Sequence, residues 1–184
     1  MRIAVTGTPG TGKTTAVERV EIDLDVIHLN DVIEREGFET GRDDQRGSVV
    51  ADTDALGEWL DGRTGIVESH LAHRFPADRV VVLRCHPDEL ETRLTERGER
   101  SETAREDTAS SETPQPLARK AHENAKAEAL DIVLSEAVAT HGRESVYEID
   151  TTDRTPEEVA TEIERVVAGE REPSAGTVEF IEWL

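Results

Sequence analysis

A glycine-rich segment near the start of the chain carries the residues best suited to chemistry. Gly7 to Thr14 reads GTPGTGKT, which satisfies the GxxxxGK[ST] pattern, and it follows the apolar run Arg2 to Thr6 and precedes a predicted helix. Glycines at these positions let consecutive backbone N–H groups turn inward toward an anion, and the following helix directs its positive dipole end at the same point. A chance glycine-rich turn is the alternative, and the complete motif with both flanks argues against it. The segment therefore predicts a phosphate-binding loop for ATP.

The residue types of this loop predict a role for its polar members. We expect Lys13 to reach the β- and γ-phosphates of ATP as a point charge. We expect the Thr14 hydroxyl to ligate Mg²⁺ and the Thr15 hydroxyl to contact the α-phosphate. ATP and Mg²⁺ are thus the cofactors that the loop predicts.

A carboxylate and a histidine follow the third predicted strand of the chain. Gly65 to Glu68 (GIVE) is predicted to be a strand, and Ser69 and His70 come directly after it. Because the carboxyl ends of parallel strands face the ligand crevice, Glu68 is predicted to lie near the magnesium. In an extended chain His70 points the same way as Glu68, so it is predicted to position a water or the metal's hydration shell. An ordinary exposed acid and a loop histidine without a role remain the alternatives.

Strands and helices alternate along most of the chain. The predicted strands are Arg2 to Thr6, Asp25 to Leu29, Gly65 to Glu68, Arg79 to Cys85 and Val146 to Asp150. The predicted helices are Thr14 to Val20, Asn30 to Glu36, Thr53 to Leu60, Asp88 to Arg97, Leu117 to Ala139, and a last one that Thr155 caps and that ends near Ala168. This order predicts a single α/β domain over residues 1–184, with a parallel sheet covered by helices on both faces.

Polar segments interrupt this alternation. Residues 37–48 are predicted to form a loop. Glu99 to Pro116, rich in Ser, Thr and Glu, is predicted to be a mobile loop. The C-terminal segment TVEFIEWL, Thr177 to Leu184, is apolar at alternate or helical spacing and is predicted to dock on the body of the protein.

The chain is strongly acidic, with 41 acidic and 21 basic residues among 184 and a formal net charge of −20. Such a charge repels nucleic-acid phosphates and anionic membrane surfaces, so we expect neither extended direct nucleic-acid binding nor membrane association. No apolar run approaches the roughly 20 residues that a membrane span needs. Disorder could explain the acidity, but the apolar strands are too regular, and a halophilic adaptation to a high-salt cytoplasm is favoured.

The single cysteine, Cys85, lies inside a predicted strand, where a buried position is expected. One cysteine permits no disulfide within the chain, and the N-terminal residues show no signal-peptide pattern. We therefore expect a cytoplasmic protein.

Four segments of the chain resemble the atypical adenylate kinases of archaea and eukaryotes, the adenylate kinase isoenzyme 6 type. They are GTPGTGKTT, VESHLAHRFP, VVVLRCHPDELETRLTERG and AHENAKAEALDIVLSEA, and the resemblance covers most of residues 1–170. It implies a five-stranded parallel P-loop fold of the nucleoside-monophosphate kinase type. It also implies γ-phosphoryl transfer from ATP to AMP or a related nucleoside monophosphate, an ATPase activity, and a role in maturation of the small ribosomal subunit and its 16S rRNA.

The resemblance also assigns site residues. Gly10, Gly12, Lys13, Thr14 and Thr15 match the ATP phosphate loop. Glu68 and His70 match the family's Asp/Glu-x-His element, which serves the magnesium and the catalytic water, so Glu68 joins Thr14 as a candidate metal ligand.

Further matches concern the two segments that close over substrates in this family. Arg97 matches the arginine at the start of the lid, which spans about residues 97–118, and Glu99 to Pro116 is an insertion relative to the family's short lid. The monophosphate-binding arm spans about residues 30–52 and contains Asp31. The helix after the lid carries Asn124 and Glu128, and the candidates for holding the acceptor phosphate are Arg35, Arg42 and Arg46.

Functions from other classes compete with the kinase. The protein could act mainly as an ATPase switch in ribosome assembly, through a partner such as a platform protein of the small ribosomal subunit. An acidic chain complements a basic ribosomal protein in charge, which suits that alternative. A GTPase is disfavoured because the chain contains no Asn-Lys-x-Asp guanine signature. Arginines at 93, 97 and 100, and a loop from Ile149 to Glu158 that is expected to border the adenine, favour the kinase.

The charge predicts a salt-dependent stability. The Debye length grows from about 3 Å at 1 M salt to about 30 Å at 0.01 M, so repulsion between carboxylates reaches across the surface at low ionic strength. We expect the melting temperature to rise steadily from low to molar salt, which thermal melts over a salt series will measure. A melting temperature independent of salt contradicts the prediction.

Overall fold

Strands and helices alternate through the part of the chain that the structure, a computed structural model, describes: residues 1–43, 48–103 and 114–184. The strands are β1 (Arg2–Thr6), β2 (Val26–His28), β3 (Glu39–Asp43), β4 (Ser48–Ala51), β5 (Gly65–Glu68), β6 (Arg79–Arg84) and β7 (Val146–Asp150). The α-helices are α1 (Lys13–Val17), α2 (Leu29–Glu36), α3 (Thr53–Leu60), α4 (Pro87–Thr103), α5 (Pro114–Ala129), α6 (Ile132–His141) and α7 (Pro156–Ala168).

Five strands form one parallel sheet in the order β2–β5–β1–β6–β7. Strand β1 lies at the centre and pairs with β5 on one side and β6 on the other. The chain first winds to the β2 side and then crosses to the β6 side, so β1 lies where the winding reverses. In open α/β sheets the crevice at the carboxyl ends of the strands binds ligands at such a point. The prediction of a five-stranded parallel α/β fold is confirmed.

Alternate side chains of the same strands fill two separate cores, which is why the strands are apolar runs rather than alternating patterns. One core combines strand residues Ile3, Val5, Ile66, Val81, Leu83 and Ile149 with Ala16 and Val17 of α1 and Val159, Ile163 and Val166 of α7. The opposite core combines Ala4, Val67, Val80, Val82 and Val146 with apolar side chains of α2, α3 and α6. Helices therefore cover both faces of the sheet, and this covering fixes the strand ends that carry the site.

Helix α7 begins at the residue that the sequence predicts. The Glu158 backbone N–H donates to the Thr155 hydroxyl at 3.3 Å, and the Thr155 backbone N–H donates to Glu158 Oε2 at 2.8 Å. Together with Pro156 in the first turn, this capping box satisfies backbone donors that would otherwise be unpaired.

The prediction of a loop over residues 37–48 is wrong for Glu39–Asp43 and for Ser48. Strands β3 and β4 pair there as an antiparallel hairpin, and the Thr40 hydroxyl donates to the Val50 carbonyl at 3.1 Å. The β3 sequence ETGRD carries no apolar alternation that would predict a strand. Residues 44–47 lie outside the described part of the chain, and Arg46 is among them.

The predicted loop from Glu99 to Pro116 is also wrong at both ends. Helix α4 continues past Arg97 to Thr103, and α5 begins at Pro114. The two helices pack closely, because a Cβ on Gly98 would lie 2.3 Å from Leu117 Cδ2 and only glycine leaves that space. Residues 104–113, the rest of the predicted loop, lie outside the described part of the chain.

The single helix predicted from Leu117 to Ala139 is in fact two helices. Asp131 has a φ of 54°, which ends α5 and turns the chain into α6. The Arg84 guanidinium donates to the Glu128 main-chain oxygen at 3.2 Å and also pairs with the Asp131 carboxylate. A long-range contact therefore satisfies the end of α5, and the local sequence alone predicted a continuous helix.

The C-terminal segment docks on the body, as predicted. The Thr177 backbone N–H donates to Glu148 Oε2 at 2.7 Å, and Trp183 Nε1 donates to Asp88 Oδ1 at 2.6 Å. The Phe180 ring meets the His86 ring edge-on at 5.5 Å. Cys85 is buried, which agrees with the prediction.

Across the described ranges, none of the helices combines the length and the apolar character that crossing a membrane requires.

Candidate functional site

A cleft of about 620 Å³ opens at the carboxyl ends of the parallel strands. It brings together the sequence-predicted residues Gly10, Gly12, Lys13, Thr14, Thr15, Glu68, His70 and Arg97. Its other lining residues include Asn30 after β2, Arg93 on α4, and Thr151, Arg154 and Pro156 after β7. The loop after β7 thus borders the cleft, and Arg154 within it is a cation that the sequence reasoning did not single out.

The phosphate loop is held in a form that only glycine tolerates. Gly10 and Gly12 have φ values of 94° and 87°, in the left-handed region. A Cβ on Gly10 would lie 2.9 Å from Leu90 Cδ1 of α4, so the loop backbone packs directly against that helix. Such a backbone form allows consecutive N–H groups to face an anion, as a polyphosphate site requires.

Lys13 lies at the floor of the cleft with only 8% of its surface exposed. Its Nζ donates to the main-chain oxygens of Gly7 and Thr8, each at 2.9 Å. Burial lowers the pKa of Lys13 to about 8; the nearby Glu68 and Glu128 carboxylates oppose this shift, and Arg97 adds to it. Negative phosphates bound beside Lys13 would stabilise its charged form and raise its pKa again, so this site favours an anion.

Glu68 is buried, and the structure gives it a partner that the sequence reasoning missed. His28 Nδ1 lies 2.9 Å from Glu68 Oε2, and the two residues face each other in the register of β2 and β5. They are 40 positions apart, so no local pattern signals the contact. The pair fixes the orientation of the Glu68 carboxylate at the cleft wall.

His70 lines the cleft, but not for the reason predicted. Strand β5 ends at Glu68, so Ser69 and His70 lie in the bend and turn after it rather than in extended chain. The backbone N–H of the buried Ser69 donates to Val5 O at 3.2 Å. More than a third of the His70 surface is open to the cleft, yet the surrounding protein removes enough water to lower its pKa to about 4. The positive charges of Lys13 and Arg74, with a smaller effect of His73, lower this pKa further. His70 is therefore neutral near pH 7 and can accept a hydrogen bond.

Cations also line the α4 side of the cleft. Arg93 donates to the Thr151 main-chain oxygen at 3.0 Å and pairs with Glu89, while the exposed Arg97 side chain borders the opening. With Lys13 and Arg154 they place positive charge around one cleft in a chain of net charge −20. Such a local field favours a polyanionic ligand.

Other residues proposed from the sequence lie elsewhere. Asn124 donates to the main-chain oxygen of Lys120 in its own helix at 2.9 Å. Arg35 is exposed and pairs with Glu36 at 2.9 Å, away from the cleft lining. Glu128 is buried behind the phosphate loop, where it accepts a hydrogen bond from the Thr8 hydroxyl.

The donor atoms at the cleft fit a magnesium ion. Thr14 and Glu68 present hard oxygen ligands on the same cleft. Mg²⁺ usually takes one or two protein oxygens and completes its octahedron with water and substrate phosphates. Within the described ranges no cluster of three or more His, Cys, Asp or Glu side chains could hold a metal ion.

Comparisons with known proteins give the family. A family profile described as an AAA domain matches residues 3–115. A protein of Natronomonas pharaonis named "Putative adenylate kinase" is 59% identical over 185 residues, with 100% of each chain covered. Proteins of the same name are 52% identical in Halobacterium salinarum, with 100% of each chain covered, and 41% identical in Methanothermobacter thermautotrophicus, with 99% of this chain and 98% of the other covered. The chain belongs to this adenylate kinase family.

A solved structure shares the fold. The chain is similar to a crystal structure of an unliganded sugar kinase from Janibacter sp. HTCC2649, with a TM-score of 0.50 and 21% sequence identity. The likeness covers 91% of this chain and 92% of the other. At this sequence identity the likeness shows a shared fold.

The buried lysine predicts that ATP affinity depends on pH. Free Lys13 titrates near pH 8, and bound phosphates would raise its pKa in the complex. Below pH 8 Lys13 is protonated both in the free protein and in the ATP complex, so the affinity for ATP is constant. Above it the free protein loses a proton that the complex retains, so the affinity falls by up to about tenfold per pH unit. Calorimetric titration with ATP across this range measures the effect, with Lys13→Met as the variant that lacks it. An unchanged wild-type affinity up to about pH 9.5 contradicts the prediction.

Proposed function

We propose that the protein is a cytoplasmic nucleoside-monophosphate kinase that transfers the γ-phosphoryl group of ATP to AMP or a related nucleoside monophosphate. The observation that carries this proposal is the convergence of a buried phosphate-loop lysine, Lys13, with Glu68 and Arg97 on one cleft. Phosphoryl transfer needs little covalent chemistry from the protein. It needs positioning and neutralisation of charge on the transferred group, and this cleft supplies both.

The phosphate loop and α4 would share the work on ATP. The loop backbone around Gly10 and Gly12 would hold the β- and γ-phosphates, with Thr15 at the α-phosphate and Lys13 as the positive charge beneath them. Arg97, with Arg93, would neutralise the negative charge that spreads over the transferred group. The loop after β7 would border the adenine.

Thr14 and Glu68 would hold a magnesium ion. Bound there with ATP, the ion would neutralise phosphate charge and fix the geometry of the β- and γ-oxygens. The contribution of the protein is the hydroxyl of Thr14 and a carboxylate that His28 orients at 2.9 Å. An oriented carboxylate costs less conformational entropy when it binds.

The hairpin and the paired helices would form the two moving parts of a single domain over residues 1–184. The arm that binds the monophosphate would span about residues 30–52, with α2 and the β3–β4 hairpin, and Asn30 of α2 already lines the cleft. The lid would span about residues 97–118, where α4 and α5 pack side by side. Arg42, on the hairpin strand β3, and Arg46 are our candidates for the acceptor phosphate.

The second candidate function is an ATPase switch for assembly of the small ribosomal subunit, with maturation of its 16S rRNA as the outcome. It is favoured by His70, a neutral imidazole open to the cleft that could accept a hydrogen bond from an attacking water. The net charge of −20 would suit a basic platform protein of the subunit as partner. ATP turnover measured with and without AMP separates a kinase from a protein that mainly hydrolyses ATP.

A screen of ATP with each nucleoside monophosphate tests the kinase directly. We expect AMP to give the fastest formation of a nucleoside diphosphate, and Lys13→Ala to lose at least nine-tenths of that rate because it removes a charge worth several kcal/mol in the transition state. Lys126→Ala, an exposed lysine of α5 away from the cleft, is the matched control and should keep the wild-type rate. A folded Lys13→Ala protein that keeps more than a tenth of the rate, or a wild type that phosphorylates none of the monophosphates, contradicts the proposal.

His70→Ala is expected to lower ATP hydrolysis far more than transfer to AMP. Hydrolysis needs a side chain to hold a water in line with the γ-phosphorus, whereas in kinase transfer the acceptor phosphate is the nucleophile and the arm positions it. Both rates should be measured on one preparation, with His122→Ala, outside the cleft, as the control. Equal losses would assign His70 a structural role, and a selective loss of AMP phosphorylation would reverse the proposal.

A further inference from the structure

Glu128 of α5 reaches the phosphate loop from behind, on the side away from the cleft. Only 3% of the Glu128 surface is exposed, and only 2% of the Thr8 surface. The two side chains are in contact. One carboxylate oxygen, Oε2, accepts the hydrogen bond of the Thr8 hydroxyl. Thr8 is the second residue of the phosphate loop, and its hydroxyl has no part in the phosphate-binding roles proposed above.

The other Glu128 oxygen is held in place, so the carboxylate has no freedom to turn. Arg84 Nε donates to Oε1 at 2.6 Å, and the Cys85 backbone N–H donates to the same atom at 3.3 Å. Arg84 is itself fixed, because its Nη1 donates to Oε1 of the buried Glu148 at 2.5 Å. Strands β6 and β7 therefore set the position of Glu128 through two buried ion pairs.

Thr8 passes this constraint on to the phosphate-binding lysine. The Thr8 main-chain oxygen accepts hydrogen bonds from Lys13 Nζ and from the Thr11 hydroxyl, each at 2.9 Å. The Thr8 hydroxyl is thus held by Glu128, which lies outside the loop, while the Thr8 carbonyl holds Lys13 and Thr11 within the loop. Loss of the anchor would leave the loop to adopt other positions, which lowers the fraction ready to bind phosphate.

We infer that Glu128, set by Arg84, is a positioning residue that holds the phosphate loop in its nucleotide-binding form through the Thr8 hydroxyl. The inference rests on the proposed function only in taking ATP as the ligand. Buried ion pairs contribute little net stability on average, so a purely stabilising role is a weak explanation for this arrangement. The same contact ties α5, the helix that returns from the proposed lid, to the loop that would bind ATP.

Replacement of the Thr8 hydroxyl tests the inference. Thr8→Val keeps the shape of the side chain and removes its donor, whereas Thr8→Ser restores the donor on a smaller side chain. The dissociation constant for ATP is measured by calorimetry on each folded variant, together with its melting temperature. We expect Thr8→Val to weaken ATP binding at least tenfold, about 1.4 kcal/mol, and Thr8→Ser to recover most of the loss. Thr161→Val, which removes an exposed hydroxyl on α7, is the matched control and should bind as the wild type does.

Two results would overturn the inference: wild-type affinity in Thr8→Val, or an equal loss in Thr8→Ser. If Thr8→Val does not fold, Glu128→Gln, which keeps the volume and removes the charge, takes its place with an expected loss of at least fivefold. Unchanged affinity in that variant, or a failure of both variants to fold, would assign the contact to stability alone. If Thr8→Val and Glu128→Gln both fold, the loss in the double variant should be smaller than the sum of the two single losses, because both act through the Thr8–Glu128 contact. Since binding is measured without turnover, the result stands apart from whether the wild type phosphorylates AMP.

Discussion

The buried guanidinium of Arg84 is the constraint that ties β6, β7, the α5–α6 junction and the C-terminal segment to one another. A charge with 1% exposure is tolerated only if acidic groups and carbonyls surround it, because an unpaired ion loses its hydration without compensation. Glu128, Glu148 and Asp131 supply three carboxylates, and they come from α5, β7 and the α5–α6 junction. Glu148 in turn accepts backbone N–H bonds from the C-terminal segment. One cation therefore fixes the relative placement of two strands, two helices and the chain end.

An anion-binding cleft in a chain of net charge −20 raises an electrostatic problem that the fold resolves locally. Lys13, Arg93, Arg97 and Arg154 border one opening, while Glu128 and Glu148 pair with Arg84 behind it. Burial lowers the pKa of Lys13 to about 8, and a bound phosphate would raise that pKa by stabilising the charged lysine. The long-range repulsion from the acidic surface falls off within a Debye length in salt, whereas these short contacts persist.

The failures of sequence reasoning lie where a long-range contact replaced a local preference. The residues around Asp131 favour a continuous helix, but Arg84 supplies a partner for the Glu128 carbonyl and allows α5 to end. Strand β3 is polar throughout, and its backbone pairs with β4 in the hairpin. Helix α4 continues to Thr103 because Gly98 lets α5 pack against it, which a count of polar residues does not reveal.

What the sequence determined by itself is local: the glycines and lysine of the phosphate loop, the capping of α7, and strands whose continuous apolar character requires burial on both faces. These follow from backbone freedom and periodicity within a few residues, so they can be read without coordinates. The tertiary structure alone decided that His28 orients Glu68 and that Glu128 holds Thr8. These pairs are separated by 40 and 120 positions in the chain. Strand register and helix packing bring the two residues of each pair together. Both depend on apolar burial throughout the two cores, which no short sequence pattern reveals.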